Sequence, residues 1–327
     1  TSGSTGDPKG VALSHANLLA NIRAWGLAAK VEARDVCVSW LPLYHDMGLI
    51  GTWLGSLYHG CTLVLMSPLD FLARPERWLW AIHHYRGTVT AAPNFAYELC
   101  VKRLAGTDLA GLDLSSWRLA ANGAEPVNPD TLERFAHAFA PYGLNAGSLT
   151  PVYGLAECSV GLCVPPPGRG VRIDRVERTP LTREGHALAA DGAAGTGAHD
   201  DGGEVLRLVS CGPPLPGHEL RIVDAEGRPL PERHVGELEF RGPSATAGYY
   251  RNAAASAALF HDGWLVTGDH AYLADGELYI TGRAKELIIR AGRNLYPYDL
   301  EQAIGDLPGV RKGCVAVFGV SDPTSGE

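Results

Sequence analysis

Through residue 154 the chain alternates short apolar runs of strand character with longer segments of helical spacing, and no other feature constrains its fold as strongly. Ser14 is placed to cap a helix over about 15–29, where Leu18, Leu19, Ile22 and Trp25 fall on one stripe. Residues 36–41 read as a buried strand, 47–58 return to helical spacing, and 62–66 read as strand. Pro75 suits the first residue of a helix carrying Trp78, Leu79 and Ile82. Strand 89–92, helix 95–104, strand 117–121 and a helix opened by Pro129 and running to about 140 complete the series. The pattern predicts an α/β fold with a doubly wound parallel sheet, in which ligands gather outside the carboxyl ends of the strands. Three polar loops fall at such ends: Tyr44-His45-Asp46, Asn122-Gly123-Ala124-Glu125 and Tyr153-Gly154-Leu155-Ala156-Glu157.

After residue 165 the chain changes character. Residues 172–183 are charged and weakly patterned, and 187–203 are rich in Ala, Gly and Asp without periodicity, which reads as a surface loop or insertion. Alternating runs at 205–209, 219–223, 236–240 and 277–280, separated by Gly-Pro, Pro-Pro and Asp-Gly turns, predict a small antiparallel, barrel-like subdomain. Beyond Gly282-Arg283 a new unit begins, with a strand at 287–289, a helix over 297–304 and a strand at 314–320. The expected organisation is therefore an α/β core over 1–204 with an insertion near 171–204, a β-rich subdomain over 205–283, and the start of a small α+β domain over 284–327. Because the chain opens inside a functional-looking loop and stops on an unfinished pattern, a piece of a longer protein is expected.

Composition narrows the function classes. A hydrophobic share of 46% with 20% charged residues suits a water-soluble globular chain. A net charge of -8 argues against a general nucleic-acid binder, and no apolar run approaches the roughly 20 residues of a membrane span. The 7 cysteines are scattered, odd in number and without CxxC spacing, which suits buried thiols of a reducing compartment and a cytoplasmic location. Adjacent residues of a helix do not face one ligand, so His83-His84 reads as structural. No Gly-x-Ser-x-Gly elbow supports a hydrolase.

The opening stretch, Thr1-Ser2-Gly3-Ser4-Thr5-Gly6-Asp7-Pro8-Lys9-Gly10, combines glycines, hydroxyls and a lysine. Glycines let successive backbone N–H groups converge on one anion, hydroxyls add donors, and lysine adds a point charge. It is not a Walker A loop, since Pro8 precedes Lys9 and Gly10 follows it. Composition leaves a phosphate cradle and a polar turn before a helix both open. Glu157 suits a Mg²⁺ carboxylate or a helix-start carboxylate. Tyr153 offers a face for a base, or packs. Asp269, in the glycine turn Thr267-Gly268-Asp269, suits a ribose diol or simply the turn. Arg283 suits the same nucleotide or a surface ion pair.

In order and spacing these elements resemble the adenylate-forming superfamily, which includes acyl-CoA synthetases, peptide-synthetase adenylation domains and luciferases. The cradle matches its Thr-Ser-Gly-Ser-Thr-Gly-x-Pro-Lys-Gly loop, Tyr153 to Glu157 its Tyr-Gly-x-x-Glu element, and Thr267-Gly268-Asp269 and Gly282-Arg283 its later nucleotide motifs. Residues 40–51 (Trp-Leu-Pro-Leu-Tyr-His-Asp-Met-Gly-Leu-Ile-Gly), 122–127 (Asn-Gly-Ala-Glu-Pro-Val) and 293–301 (Arg-Asn-Leu-Tyr-Pro-Tyr-Asp-Leu-Glu) are similar to the fatty acyl-AMP ligase branch, as is the extra segment 171–204.

The resemblance implies a fatty acid activated by ATP as acyl-adenylate, with Mg²⁺ and release of pyrophosphate. It implies delivery to the phosphopantetheine of an acyl carrier protein, the insertion restraining the C-terminal domain and disfavouring coenzyme A. Thr1, Ser2, Gly3, Ser4, Thr5 and Gly6 would bind nucleotide, with residues 2–9, including Lys9, on the leaving phosphates. Glu157 would bind Mg²⁺, and His45 would lie near the carboxylate and α-phosphate. Gly123, Ala124 and Glu125 with Tyr153 would enclose the adenine, Gly154 and Ala156 would also bind the nucleotide, and Asp269 with Arg283 would take the ribose. Lys285 would be the hinge of the C-terminal domain, and Met47 a wall of the acyl tunnel or an ordinary core residue. The family's adenylation lysine lies late in that domain and no lysine follows Lys312, so the chain is expected to bind nucleotide better than it catalyses. The rival readings are a fatty acyl-CoA synthetase and a non-catalytic nucleotide- or acyl-binding module.

Overall fold

The computed structural model describes residues 1, 8–190, 204–290, 293–305, 307–310 and 314–320. Helix α1 (His15–Ala28) starts at a reciprocal cap: Ser14 Oγ accepts from the Asn17 N–H (3.2 Å), and Asn17 Oδ1 accepts from the Ser14 N–H (3.0 Å). Strand β1 (Val36–Ser39) leads into a π-helical segment, Met47–Leu54, that continues as α2 (Gly55–His59). Then follow β2 (Thr62–Leu65), α3 (Pro68–Ala73), α4 (Glu76–Tyr85), β3 (Val89–Ala92), α5 (Asn94–Leu104), β4 (Leu119–Asn122), α6 (Pro129–Phe139) and β5 (Leu149–Pro151). Pro75 is the residue before α4, and α3 was not foreseen. The wide turns of Met47–Leu54 also differ from the α-helix that apolar spacing suggests, and Thr52 Oγ1 donates to Gly48 O (2.6 Å) within them.

The five strands are all parallel, in the order β2-β1-β3-β4-β5. The order reverses at β1, so the expected doubly wound sheet has its switch point between β1 and β3. One face buries an aromatic core in which the edges of Trp40, Phe71, Tyr97 and Trp117 all meet Trp78, at centroid distances of 5.2–6.3 Å. The other face packs Val89, Leu119 and Ala121 against Trp25 and Ala29 at the end of α1.

The β-rich region is antiparallel. Strands β6 (Ile173–Glu177) and β7 (Val205–Val209), with α7 (Arg178–Glu184) between them, form a two-stranded pair. Strands β8 (Glu219–Val223), β9 (Gly236–Arg241), β10 (Phe260–His261), β11 (Trp264–Ala274) and β12 (Glu277–Arg283) form the larger half-barrel sheet, with α8 (Ala253–Ala257) before β10. The segment 172–183, charged and weakly patterned in sequence, is folded, because Val176, Leu181 and Ala187 reach one core with Tyr272 and Tyr279. One expectation changes here. Thr267-Gly268-Asp269 is a bulge inside long strand β11 and not a free turn: Gly268 takes φ 76° and the register to β9 shifts between Val266 and His270.

The last unit has a hairpin, β13 (Ile288–Arg290) and β14 (Arg293–Leu295), and helix α9 (Pro297–Gly305). The strand expected at 314–320 does not form. No strand ladder reaches it among the described residues, and the Val317 N–H donates to Glu301 Oε1 instead (2.9 Å). Tyr296 and Leu287 pack into the core that holds Leu181 and Ala187, so the insertion touches the C-terminal unit. All 7 cysteines are free thiols, and among the described residues no helix is long and apolar enough to cross a membrane.

The aromatic hub supplies the first expected outcome. Trp78→Ala leaves a cavity where four aromatic edges meet, and it should lower unfolding free energy by about 3–5 kcal/mol, read from the urea midpoint at unchanged slope.

Candidate active site

The loops at the carboxyl ends of β1, β4 and β5 face the bulge of β11 and the end of β12 across one cavity of about 1760 Å³. Thr1, Lys9, His45 and Glu157 line it, as do Tyr153, Asp269 and Arg283. Ala124, Glu125, Gly154, Ala156 and Lys285 also reach it, whereas Gly123 supports it from behind. The expected cradle residues Ser2, Gly3, Ser4, Thr5 and Gly6 lie outside the described residues, as does the second half of the insertion.

Two glycines shape the loops by absence of a side chain. A Cβ on Gly154 would lie 1.8 Å from Val160 O, and one on Gly123 would lie 2.8 Å from Val152 O. Both loops therefore close against β5 and its continuation only as glycine. Tyr153 is fixed by paired backbone bonds to Cys163, at 3.1 and 2.9 Å.

One cluster on the cavity wall centres on Asp269, which is 7% exposed. Its Oδ2 accepts from the Tyr153 hydroxyl (2.5 Å), and its Oδ1 pairs with Arg283 Nε (3.1 Å). Burial pushes the Asp269 carboxyl above the usual carboxylate range, while Arg283 and the Tyr153 bond oppose that rise. Tyr153 is thus a hydrogen-bond partner of Asp269 as well as an aromatic face. Glu125 has a second duty, since its Oε1 accepts from the Phe95 N–H (2.5 Å) in the first turn of α5. Ala124 sits beside it in the left-handed region, at φ 69°.

The wall that carries Lys9 and Glu157 holds a residue that sequence reasoning missed. Tyr249 stands between Lys9 and Glu157: Lys9 Nζ lies 4.8 Å from its ring centroid, and its hydroxyl donates to Glu157 Oε1 (2.7 Å). Burial and that bond push the phenol above its ordinary pKa. Segment 248–250 also clamps the exit of the glycine-rich stretch, through Ala12 N–H to Gly248 O (3.0 Å) and Tyr250 N–H to Gly10 O (2.7 Å). The only sequence signal was an aromatic pair after Gly248. Lys9 is braced in turn by its N–H to Thr1 Oγ1 (3.0 Å).

Glu157 lies on a short 3-10 turn, Ala156–Cys158, and its carbonyl accepts from the Thr246 N–H (2.8 Å). No group of three or more metal-ligand side chains exists among the described residues. One carboxylate on the cavity wall suits a cation that brings phosphate oxygens as its other ligands, the usual habit of Mg²⁺. His45 is half-exposed, with Nδ1 2.9 Å from Asp46 Oδ1, and that bond raises its pKa above the ordinary histidine value. Met47 is buried in the aromatic core and also reaches the cavity.

A model of the family described as AMP-binding enzyme matches residues 1–250. Among curated relatives, the long-chain-fatty-acid–AMP ligase FadD26 of Mycobacterium marinum is 40% identical over 337 residues, covering 97% of this chain and 56% of its own length. The medium-chain-fatty-acid–[acyl-carrier-protein] ligase JamA of Moorena producens is 38% identical over 317 residues, covering 93% of this chain and 52% of its own. A structure from work on fatty acyl-adenylate ligases from E. coli and L. pneumophila superposes with a TM-score of 0.88 at 41% identity, over 96% of this chain and 56% of that one. The chain spans about half the length of the curated relatives it matches.

The His45–Asp46 pair sets a pH dependence. A raised folded-state pKa contributes stability that is complete below the unfolded value of about 6.5 and is lost as pH rises through the folded value. Asp46→Asn should return the His45 resonance in an NMR titration toward the ordinary value. It should destabilise more at pH 5 than at pH 8, leaving only the pH-independent loss of the Asp46 cap on the Met47 N–H (2.6 Å).

Proposed function

The chain belongs to the AMP-binding enzymes of the adenylate-forming superfamily, in the fatty acyl-AMP ligase branch, and we propose that it activates a fatty acid for transfer to an acyl carrier protein. The observation that carries this reading is the meeting of Lys9, Glu157, Tyr249, Tyr153, Asp269, Arg283 and His45 around one cavity at the switch point of the sheet.

In the proposed reaction a carboxylate oxygen attacks the α-phosphorus of ATP, the bond to the β-phosphate oxygen breaks, and pyrophosphate leaves with the electron pair. The products are acyl-AMP and pyrophosphate, and the catalysis needed is positioning and charge neutralisation. Lys9 supplies a cation to the departing phosphates, with the glycine-rich residues Ser2 to Gly6 as additional donors. Glu157 holds Mg²⁺, which supplies further charge neutralisation when bound. Asp269, kept in place by Tyr153 and Arg283, accepts the ribose hydroxyls, and the loops at Gly123 and Gly154 flank the base. His45, protonated over a wider pH range because of Asp46, lies at the reacting end of the acid.

The two curated relatives described above are named for fatty acids, and one of them also for an acyl carrier protein. For the acceptor, support comes from Leu181 and Ala187 of the insertion sharing a core with Leu287 and Tyr296 of the C-terminal unit. That packing restrains a domain that would have to turn about Lys285 for thiol transfer. A fatty acyl-CoA synthetase is the second reading. Free thiols throughout support a cytoplasmic setting.

Pyrophosphate exchange with saturated fatty acids, on the protein in the longest form its coding sequence specifies, tests the first step. Lys9→Ala and Glu157→Gln should each lower exchange about 10²-fold, the scale of removing one preorganised transition-state contact. Asp269→Asn should weaken AMP binding about tenfold. Exchange with amino acids or aryl acids alone would sink the fatty-acyl reading. For the acceptor, Leu181→Ala should raise acyl-CoA formation while exchange stays unchanged, and an unaltered product ratio would remove the insertion from the argument.

A further inference from the structure

Resting on the nucleotide reading proposed above, we infer that Asn94, the first residue of α5, is a positioning residue for the loop that would flank the base. It acts through one side-chain oxygen that accepts hydrogen bonds from both ends of that loop.

The loop, residues 123–127, joins β4 to α6, and Ala124, Glu125, Pro126 and Val127 line the cavity. Among the described residues no backbone–backbone hydrogen bond holds 124–127. Ala124 takes φ 69°, a conformation that costs a residue with a side chain. A strained loop outside any strand ladder keeps one shape only where its surroundings fix it.

The groups that fix it converge on the carboxyl end of β3, the middle strand of the sheet. Asn94 Oδ1 accepts from Asn122 Nδ2 (3.2 Å) just before the loop and from the Asn128 N–H (3.2 Å) just after it. The next residue, Phe95, donates its N–H to Glu125 Oε1 (2.5 Å) within the loop. Pro93 occupies the cap position of α5 and offers no side-chain acceptor, so the helix start draws its acceptor from 30 positions away. Neither Asn94 nor Phe95 lines the cavity itself.

Donor chemistry decides which way the amides face. A backbone N–H only donates, so the Asn94 atom facing Asn128 is its oxygen, and Asn122 presents its nitrogen to that same atom. Asn122 is 1% exposed, and its own side-chain oxygen has no partner among the described residues. Removing the Asn94 oxygen would therefore leave a buried amide unmet at both ends. The Asn122 carbonyl accepts in turn from the Val152 N–H (2.8 Å), one residue before Tyr153. Asn94 thus stands behind both loops that would enclose the base.

The test is pyrophosphate-exchange kinetics and calorimetric AMP titration on the longest form of the protein. Asn94→Asp keeps an acceptor oxygen at a helix start that favours it, and Asn94→Ala keeps none. Asn94→Ala should raise the KM for ATP and the Kd for AMP about tenfold, with kcat and the KM for the fatty acid within about twofold. Asn94→Asp should restore both nucleotide constants to within about threefold of the unaltered protein. Asn94→Ser, whose hydroxyl is too short to reach both donors, is the second variant and should match alanine. An ATP KM unmoved by Asn94→Ala, with or without a fall in kcat, would overturn the inference. So would a loss in Asn94→Asp equal to that in Asn94→Ala, and either result would leave nucleotide binding itself standing. Failure of the unaltered protein to bind AMP or ATP would overturn the nucleotide reading and the role of Asn94 with it.

Discussion

The contact between Tyr153 and Asp269 joins the two sheets at the place where the chemistry is set. Tyr153 follows the last parallel strand, and Asp269 sits in the bulge of the longest antiparallel one. A carboxylate this buried is costly unless its lone pairs are met, and Tyr153 and Arg283 meet them from opposite sides. The bulge is what aims Asp269 at the cavity and not along the strand ladder. A regular β11 would keep the same residues and present a different side chain.

Behind this contact the loop carrying Glu157 is held by a buried polar lattice. Asn21 of α1 donates to Cys158 O (2.9 Å) and Gly161 O (2.7 Å) and accepts from the Gly161 N–H (3.1 Å). Ser244 bridges His218 Nε2 (2.6 Å) and Cys158 Sγ (3.0 Å), and burial holds the His218 imidazole below its ordinary pKa. Ser159 takes φ 68°, a strained value for a residue with a side chain, and its hydroxyl bonds Ser244 O (3.1 Å). Cysteine, serine and histidine together invite a nucleophilic reading, but all three are buried and turned to one another. Their work is to keep one short turn rigid.

Much of this was legible from residue order because helix and strand periods differ, and because loops at strand ends must be polar. The parallel sheet, the helices from α4 to α6 and the cavity-lining residues from His45 to Arg283 follow from those rules and from the family resemblance. What escaped was what depends on distant partners. Thr267-Gly268-Asp269 has turn chemistry and became a bulge because β9 lies beside it. Segment 172–183 shows only three apolar anchors, which acquire meaning once Tyr272 and Tyr279 stand opposite. The wide turns after Met47 carry no period that distinguishes them from an α-helix over eight residues. Tyr249 has no local motif, and its place is known only when Lys9 and Glu157, 240 and 92 positions away, are brought to it.

The position of Tyr249 bears on how the site waits for its ligand. A lysine and a glutamate facing one cleft would ordinarily neutralise each other, and a ligand would first have to break that pair. Here a phenol insulates them: the cation rests on a ring face and the anion on a neutral hydroxyl. Under the proposed function, a phosphate chain arriving with its own cation would meet two opposite charges already parted, each open to its counterpart on the ligand, and binding would proceed by substitution of strong contacts for weak ones.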